Sequence, residues 1–154
     1  METSQKYDVI VVDAYRGPFV PFHLLTKEFY EIAVGRLKDN GVLVQNVEPS
    51  TMLFDSAIAT ISAIFENVEL YPAGGNVVVI AYNGDEKSDE ELQSRANQID
   101  SKYKPRYLIR DLLIGRLRID RSKVTAEALT DDFAPVEYLR SIELHNRRYE
   151  EITK

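Results

Sequence analysis

The chain contains no cysteine, and its 154 residues include only two histidines. A disulfide framework and a thiolate metal site are therefore excluded. No apolar run is long enough to span a bilayer and no signal peptide opens the sequence, so no membrane partner is expected and the cytoplasm is the expected compartment. Strongly basic stretches are absent as well. Lys and Arg number 19 against 25 Asp and Glu, for a formal net charge of -6. That balance argues against nucleic acid as the main partner and is favourable for a basic ligand. What is present is the ordinary material of one soluble globular domain: 44% hydrophobic and 29% charged residues, with no internal repeat or low-complexity segment.

The most informative segment is Tyr7-Asp8-Val9-Ile10-Val11-Val12-Asp13-Ala14-Tyr15. Four consecutive β-branched residues, apolar on both faces, predict a strand covered by helices on either side, and it ends abruptly in a carboxylate. In open α/β sheets ligands sit beyond the carboxyl ends of such strands, which singles out Asp13. After a loop carrying Gly17, Pro18 and Pro21, Thr26 is a plausible N-cap for a helix with Phe29, Ile32, Ala33 and Leu37 at helical spacing, stopped at Asn40-Gly41. Val42–Val47 reads as a second strand. A helix opening near Pro49-Ser50-Thr51 and carrying Leu53, Phe54, Ala57, Ile58, Ile61 and Phe65 inward follows it. Asn67–Tyr71 and Asn76–Tyr82 read as strands joined through Pro72-Ala73-Gly74-Gly75, a link too short for a parallel crossover. Beyond an acidic connection, helices are expected over Glu90–Tyr103, Arg106–Arg118 and Val136–Ile152. The expected organisation is a single domain over residues 1–154, with half of a Rossmann-like sheet in 7–83 and a helical extension in 84–154. The fold class is α/β: a partial Rossmann-like methyltransferase fold, mostly parallel and ending in an antiparallel hairpin.

Two segments carry a resemblance. YDVIVVDAYRGPFVPFHLLTKEFYEIAVGRLKDNGVLVQNV, from Tyr7, resembles the spermidine synthase family of aminopropyltransferases, especially its bacterial spermidine synthase-like branch. LTDDFAPVEYL, Leu129 to Leu139, is similar to the closing motif of that branch. The resemblance covers the C-terminal half of the family's catalytic domain. It implies transfer of the aminopropyl group of decarboxylated S-adenosylmethionine onto putrescine, with release of methylthioadenosine. It also implies that Asp13 holds and helps deprotonate the acceptor amine. The family often has a second Asp three residues later, where this chain has Arg16, a departure from putrescine recognition. The family's Gly-rich turn and its acidic ribose-binding residue precede this strand and find no counterpart in the first six residues, so the nucleoside pocket is expected to be incomplete. No tightly bound cofactor is expected; decarboxylated S-adenosylmethionine is a co-substrate if the donor half is supplied.

Other candidates follow from position. Tyr15 near the mouth, and Gln45, Asn46 and Glu48 at the end of the second strand, line the same crevice or serve as ordinary loop polarity. Asp131-Asp132 attracts a cation or caps the last helix. His23, among Phe22, Leu24 and Leu25, reads as structural, and His145 as solvated. Tyr15 and Phe19 are suited equally to a ligand's apolar part or to loop packing. The arginines between Arg106 and Arg121 read as a solvated helix face. Three functions remain open: the aminopropyltransferase half, an S-adenosylmethionine-dependent methyltransferase, and a non-enzymatic oligomeric scaffold. An unpaired edge on the Val9–Val12 strand predicts a homodimer through that edge or the apolar faces beside it.

Overall fold

The computed structural model describes residues 5–15 and 20–132. Arg16, Phe19, His145 and the expected Val136–Ile152 helix fall outside the described residues. Strands β1 (Tyr7–Val12), β2 (Leu37–Val47), β3 (Asn67–Ala73), β4 (Asn76–Tyr82) and β5 (Leu117–Arg118) form one sheet in the order β1-β2-β4-β3-β5. Helix α1 (Lys27–Arg36) links β1 to β2, and α2 (Phe54–Ile64) links β2 to β3. Helix α3 (Asp89–Tyr103) and the one-turn α4 (Ile109–Leu112) follow β4. β1 and β2 pair in parallel, and β4 runs antiparallel to both β2 and β3. Strands β1, β2 and β3 therefore share a direction, as the alternation of strands and helices predicts. The hairpin's return strand, β4, slots between β2 and β3, so among the described strands only β1 and β2 are parallel neighbours. Gly74 and Gly75, at φ 57° and 116°, supply the two left-handed positions of the tight hairpin turn.

One face of the sheet carries the core. Val12, Leu43, Val47, Val68, Leu70, Val77, Val79 and Ala81 pack against Tyr30 and Ala33 of α1 and Ile58 and Ile61 of α2. Period-2 alternation decides which residues go inside: along β2, Leu43, Gln45 and Val47 are buried while Val42, Val44 and Asn46 between them are not. β1 departs from its expected double burial. It lies at the sheet's edge, with Val9 50% and Val11 65% exposed. The physical reason is that α1 and α2 both lie on the opposite face.

Two boundaries differ from expectation. Helix α1 stops at Arg36 rather than Asn40-Gly41, because Leu37 is already extended and buried in the core. Gly41 has another task. The β1–β2 register jumps between Tyr7↔Leu37 and Val9↔Val42, and a Cβ on Gly41 would stand 2.9 Å from the Tyr7 carbonyl oxygen. The second difference is Arg106–Arg118, which is not one amphipathic helix. It gives a single helical turn, a 3₁₀ turn and then β5 against β3. The Asp100 carboxylate accepts the N–H groups of Ile109 at 2.8 Å and Arg110 at 3.2 Å, satisfying the start of that short turn. Between residues 85 and 132 the chain is thus helical in part and adds a strand to the sheet.

Arg106, Arg110, Arg118 and Arg121 are exposed, in keeping with a solvated face, but Arg116 is not: its side chain is only 4% exposed. Its Nε donates to Glu69 Oε2 at 2.8 Å and Nη2 to Glu69 Oε1, while Nη1 meets Asp89. Tyr71 and Tyr82 hydroxyls donate to the same carboxylate at 2.8 and 2.9 Å. Burial would raise the Glu69 pKa, but hydrogen bonds from Arg116, Tyr71 and Tyr82 and the guanidinium charge outweigh it and hold the carboxyl below its ordinary value. This cluster closes the β3 end of the sheet's second face.

The beginning of the Leu129–Leu139 motif is also anchored. Leu129 is buried with Leu25, Leu53 and Ala57. Its N–H donates to Thr60 Oγ1 at 2.8 Å, and its carbonyl accepts from Lys27 N–H at 2.9 Å. The segment so ties the N-terminus of α1 to the middle of α2.

Candidate functional site

Parallel pairing of β1 with β2, Val12 opposite Gln45, brings the carboxyl ends of the two strands side by side. Asp13 leaves the end of β1 exposed. Asn46 donates from Nδ2 to Asp13 Oδ1 at 3.2 Å, which fixes one carboxylate oxygen and leaves the other for a ligand. The Asn46 Oδ1 is buried and has no hydrogen-bond partner among the described residues. One residue past β2, the Glu48 carboxylate accepts from the Ser50 hydroxyl, and its carbonyl accepts from Thr51 Oγ1 at 3.0 Å. Tyr15 sits within the field of both acids. Partial burial, then the charges of Asp13 and Glu48, push its phenol above the ordinary value, so it remains a protonated donor through neutral pH. Among the described residues no Lys or Arg forms an ion pair with Asp13 or Glu48. Asp13 and Glu48 thus place two carboxylates near Tyr15 with no ion-pair partner among the described residues. Chemically, the pair can orient a cation and take up a proton.

The candidates divide between this place and others. Asp13, Tyr15, Asn46 and Glu48 come together. Gln45 does not join them: fully buried, it accepts from the Tyr30 hydroxyl at 2.6 Å and donates to the Leu24 carbonyl at 3.3 Å. Its amide is committed to the core beneath α1, and burial pushes the Tyr30 phenol pKa far up. Strand alternation carried the signal, since adjacent Gln45 and Asn46 must face opposite sides of the sheet. Asp131 and Asp132 are exposed on the segment held by Leu129, where the Asp131 N–H donates to Glu28 at 3.0 Å. That contact ties the turn to the first turn of α1. The His23 side chain is exposed, and its backbone carbonyl accepts from Thr26 Oγ1 at 3.4 Å.

No protein-family model matches the chain. It is similar to a polyamine aminopropyltransferase of Vibrio vulnificus, 29% identical over 141 residues, covering 89% of this chain and 47% of the relative. A probable polyamine aminopropyl transferase of Bifidobacterium longum is 28% identical over 155 residues, covering 89% of this chain and 35% of the relative. The chain thus spans half or less of the curated relatives it matches. Among solved structures, a probable spermidine synthase from Corynebacterium glutamicum aligns with TM-score 0.60 and 21% identity, over 86% of this chain and 50% of that one. Human methyltransferase-like protein 13 in complex with SAH aligns with TM-score 0.59 and 20% identity, over 67% of this chain and 51% of that one. These two likenesses establish the fold: half of a Rossmann-like α/β layer.

Proposed function

We propose that this chain is the acceptor-side half of a spermidine synthase-like aminopropyltransferase, with Asp13 holding a polyamine. The carrying observation is that Asp13 and Glu48 both act on Tyr15 at adjoining strand ends, without basic partners among the described residues. Similarity to two polyamine aminopropyltransferases supports the same reading. A protonated amine is no nucleophile. In this reading Asp13 orients the ammonium and accepts its proton. The freed nitrogen lone pair then attacks the methylene carbon beside the donor's sulfonium. The carbon–sulfur bond breaks, and its electron pair leaves with the thioether. Glu48 adds negative charge for the cation, Asn46 keeps the Asp13 carboxylate in one orientation, and Tyr15 is a neutral wall and donor. The co-substrate is decarboxylated S-adenosylmethionine, held chiefly by the other half of the domain.

A methyltransferase reading has one observation in its favour, the fold likeness to a methyltransferase-like protein solved with SAH. Calorimetry separates the two. Putrescine is expected to give a saturable heat that is lost in Asp13→Asn and kept when Asp131 and Asp132 are both changed to Asn. A putrescine heat unchanged by Asp13→Asn would overturn the proposal. Heat from ordinary S-adenosylmethionine alone, with none from putrescine, would replace it with the methyltransferase reading.

A further inference from the structure

The net charge of -6 is not evenly spread along the chain. From Lys102 to Arg110 there are four cations, Lys102, Lys104, Arg106 and Arg110, and no acid. The fold gathers them at one corner. Helix α3 ends at Tyr103, and Lys104 turns the chain at a left-handed φ of 45°, its N–H donating to the Asp100 carbonyl at 3.0 Å. The Asp100 carboxylate holds the N–H groups of Ile109 and Arg110, which pins the start of α4 against the last turn of α3. That carboxylate is buried and committed to backbone donors. All four cations are exposed, and Lys102, Lys104 and Arg106 have no ion-pair partner among the described residues. Lys102 and Arg106 lie over the rings of Tyr103 and Tyr107, at 4.9 and 5.3 Å. Just beyond Arg110, Leu112 and Ile114 stand in the open. Ile114, at 85%, is the most exposed large apolar side chain among the described residues.

We infer that this corner docks on an anionic lipid surface. Tyr103, Tyr107, Leu112 and Ile114 enter the headgroup layer, and the four cations meet lipid phosphates and carboxylates. A cation at a helix C-terminus needs no partner, because it answers the helix dipole. That accounts for Lys102 and Lys104, but not for Arg106 and Arg110 across the turn, nor for aliphatic side chains left in water next to them. Tyrosine, aliphatic and basic side chains together suit a membrane interface: amphipathic rings sit at headgroup level and basic groups are drawn to acidic lipid. A nucleic acid would use the cations and leave Leu112 and Ile114 wet. A protruding isoleucine enters a soft, fluid layer more readily than a preformed protein surface. The attachment is peripheral, since no helix among the described residues is long and apolar enough to cross a membrane. Whole-chain charge conceals the corner, because acids elsewhere outnumber its cations. The inference stands whether or not Asp13 holds an amine.

The test is cosedimentation of the whole chain, residues 133–154 included, with vesicles of phosphatidylcholine alone and of phosphatidylcholine mixed with phosphatidylserine. Binding is expected on the mixed vesicles only and should weaken as salt is raised. Lys104→Gln combined with Arg106→Gln removes two exposed cations and should weaken binding by about tenfold or more, with the circular dichroism unchanged. The chain contains no tryptophan, so Ile114→Trp supplies a single reporter whose emission should shift to the blue on mixed vesicles. Ile32→Trp, at an exposed position on α1, should not shift. Absence of binding, binding undiminished by the double change, an unshifted Ile114→Trp emission, or an equal shift for Ile32→Trp each overturns the inference. Binding of a labelled DNA oligonucleotide that the double change abolishes, with none to vesicles, assigns the corner to nucleic acid instead.

Discussion

Arg116 and Glu69 show how far apart in sequence the partners of a single buried charge can lie. Both side chains are nearly inaccessible, at 4% and 6% exposure. Removing one partner leaves the other charged and buried, so Arg116→Met should cost about 3–5 kcal/mol in urea unfolding. A loss below about 1 kcal/mol would mean that the pair behaves as a surface ion pair. The pH dependence has a definite sign. Glu69 is held below its ordinary pKa in the folded state, so the unfolded chain takes up its proton first as pH falls. Its stabilisation is therefore complete above an ordinary glutamate value of about 4.3 and fades as pH drops through the lower folded value. Urea midpoints measured from pH 7 to pH 3 should fall more steeply for the native chain than for Glu69→Gln. Parallel curves would contradict this. None of it was legible locally, because an arginine among leucines and acids looks the same whether its carboxylate is in solvent or 47 residues away in a strand. Asp13 was legible, since its place depends only on where its own strand ends.

At the scale of elements, the strands and the first helices announce themselves through period and punctuation, while their joints depend on neighbours. Asn40-Gly41 looks like a helix stop, yet Gly41 serves the close approach of β1 at the register jump. Gly41→Ala should destabilise the chain by about 1–3 kcal/mol, because the backbone oxygens of Tyr7 and Lys38 must move away from the new methyl. An unchanged thermal midpoint would show that the strands separate there at no cost. The clasp at α2 is a second joint that sequence period does not reveal. The Thr60 hydroxyl is buried, donates to the Ser56 carbonyl at 2.6 Å and receives the Leu129 N–H. Thr60→Val leaves that N–H unpaired, for an expected loss of about 1–3 kcal/mol with faster exchange at Leu129 in particular. If the Leu129 amide exchanges no faster, another group satisfies it.

For the molecule as a whole, one inconsistency in the sequence became a geometric fact. A strand apolar on both faces lies at an edge, with one face and one side open among the described residues. The alternation of strands and helices, the hairpin and the carboxylate at the strand end could all be read from composition and spacing. The insertion of β4 beside β2 and the conversion of Arg106–Arg118 into a turn and strand could not, since both are decided by sheet edges formed elsewhere. The amine-holding proposal makes the rim of this half-layer its working part. The most direct test follows the side-chain carboxyl carbon resonance of Asp13 by NMR while putrescine is added at neutral pH and fixed ionic strength. The account predicts a saturable movement of that resonance, together with the side-chain amide signals of Asn46. A resonance that stays still while those of Asp131 or Asp132 move would contradict it.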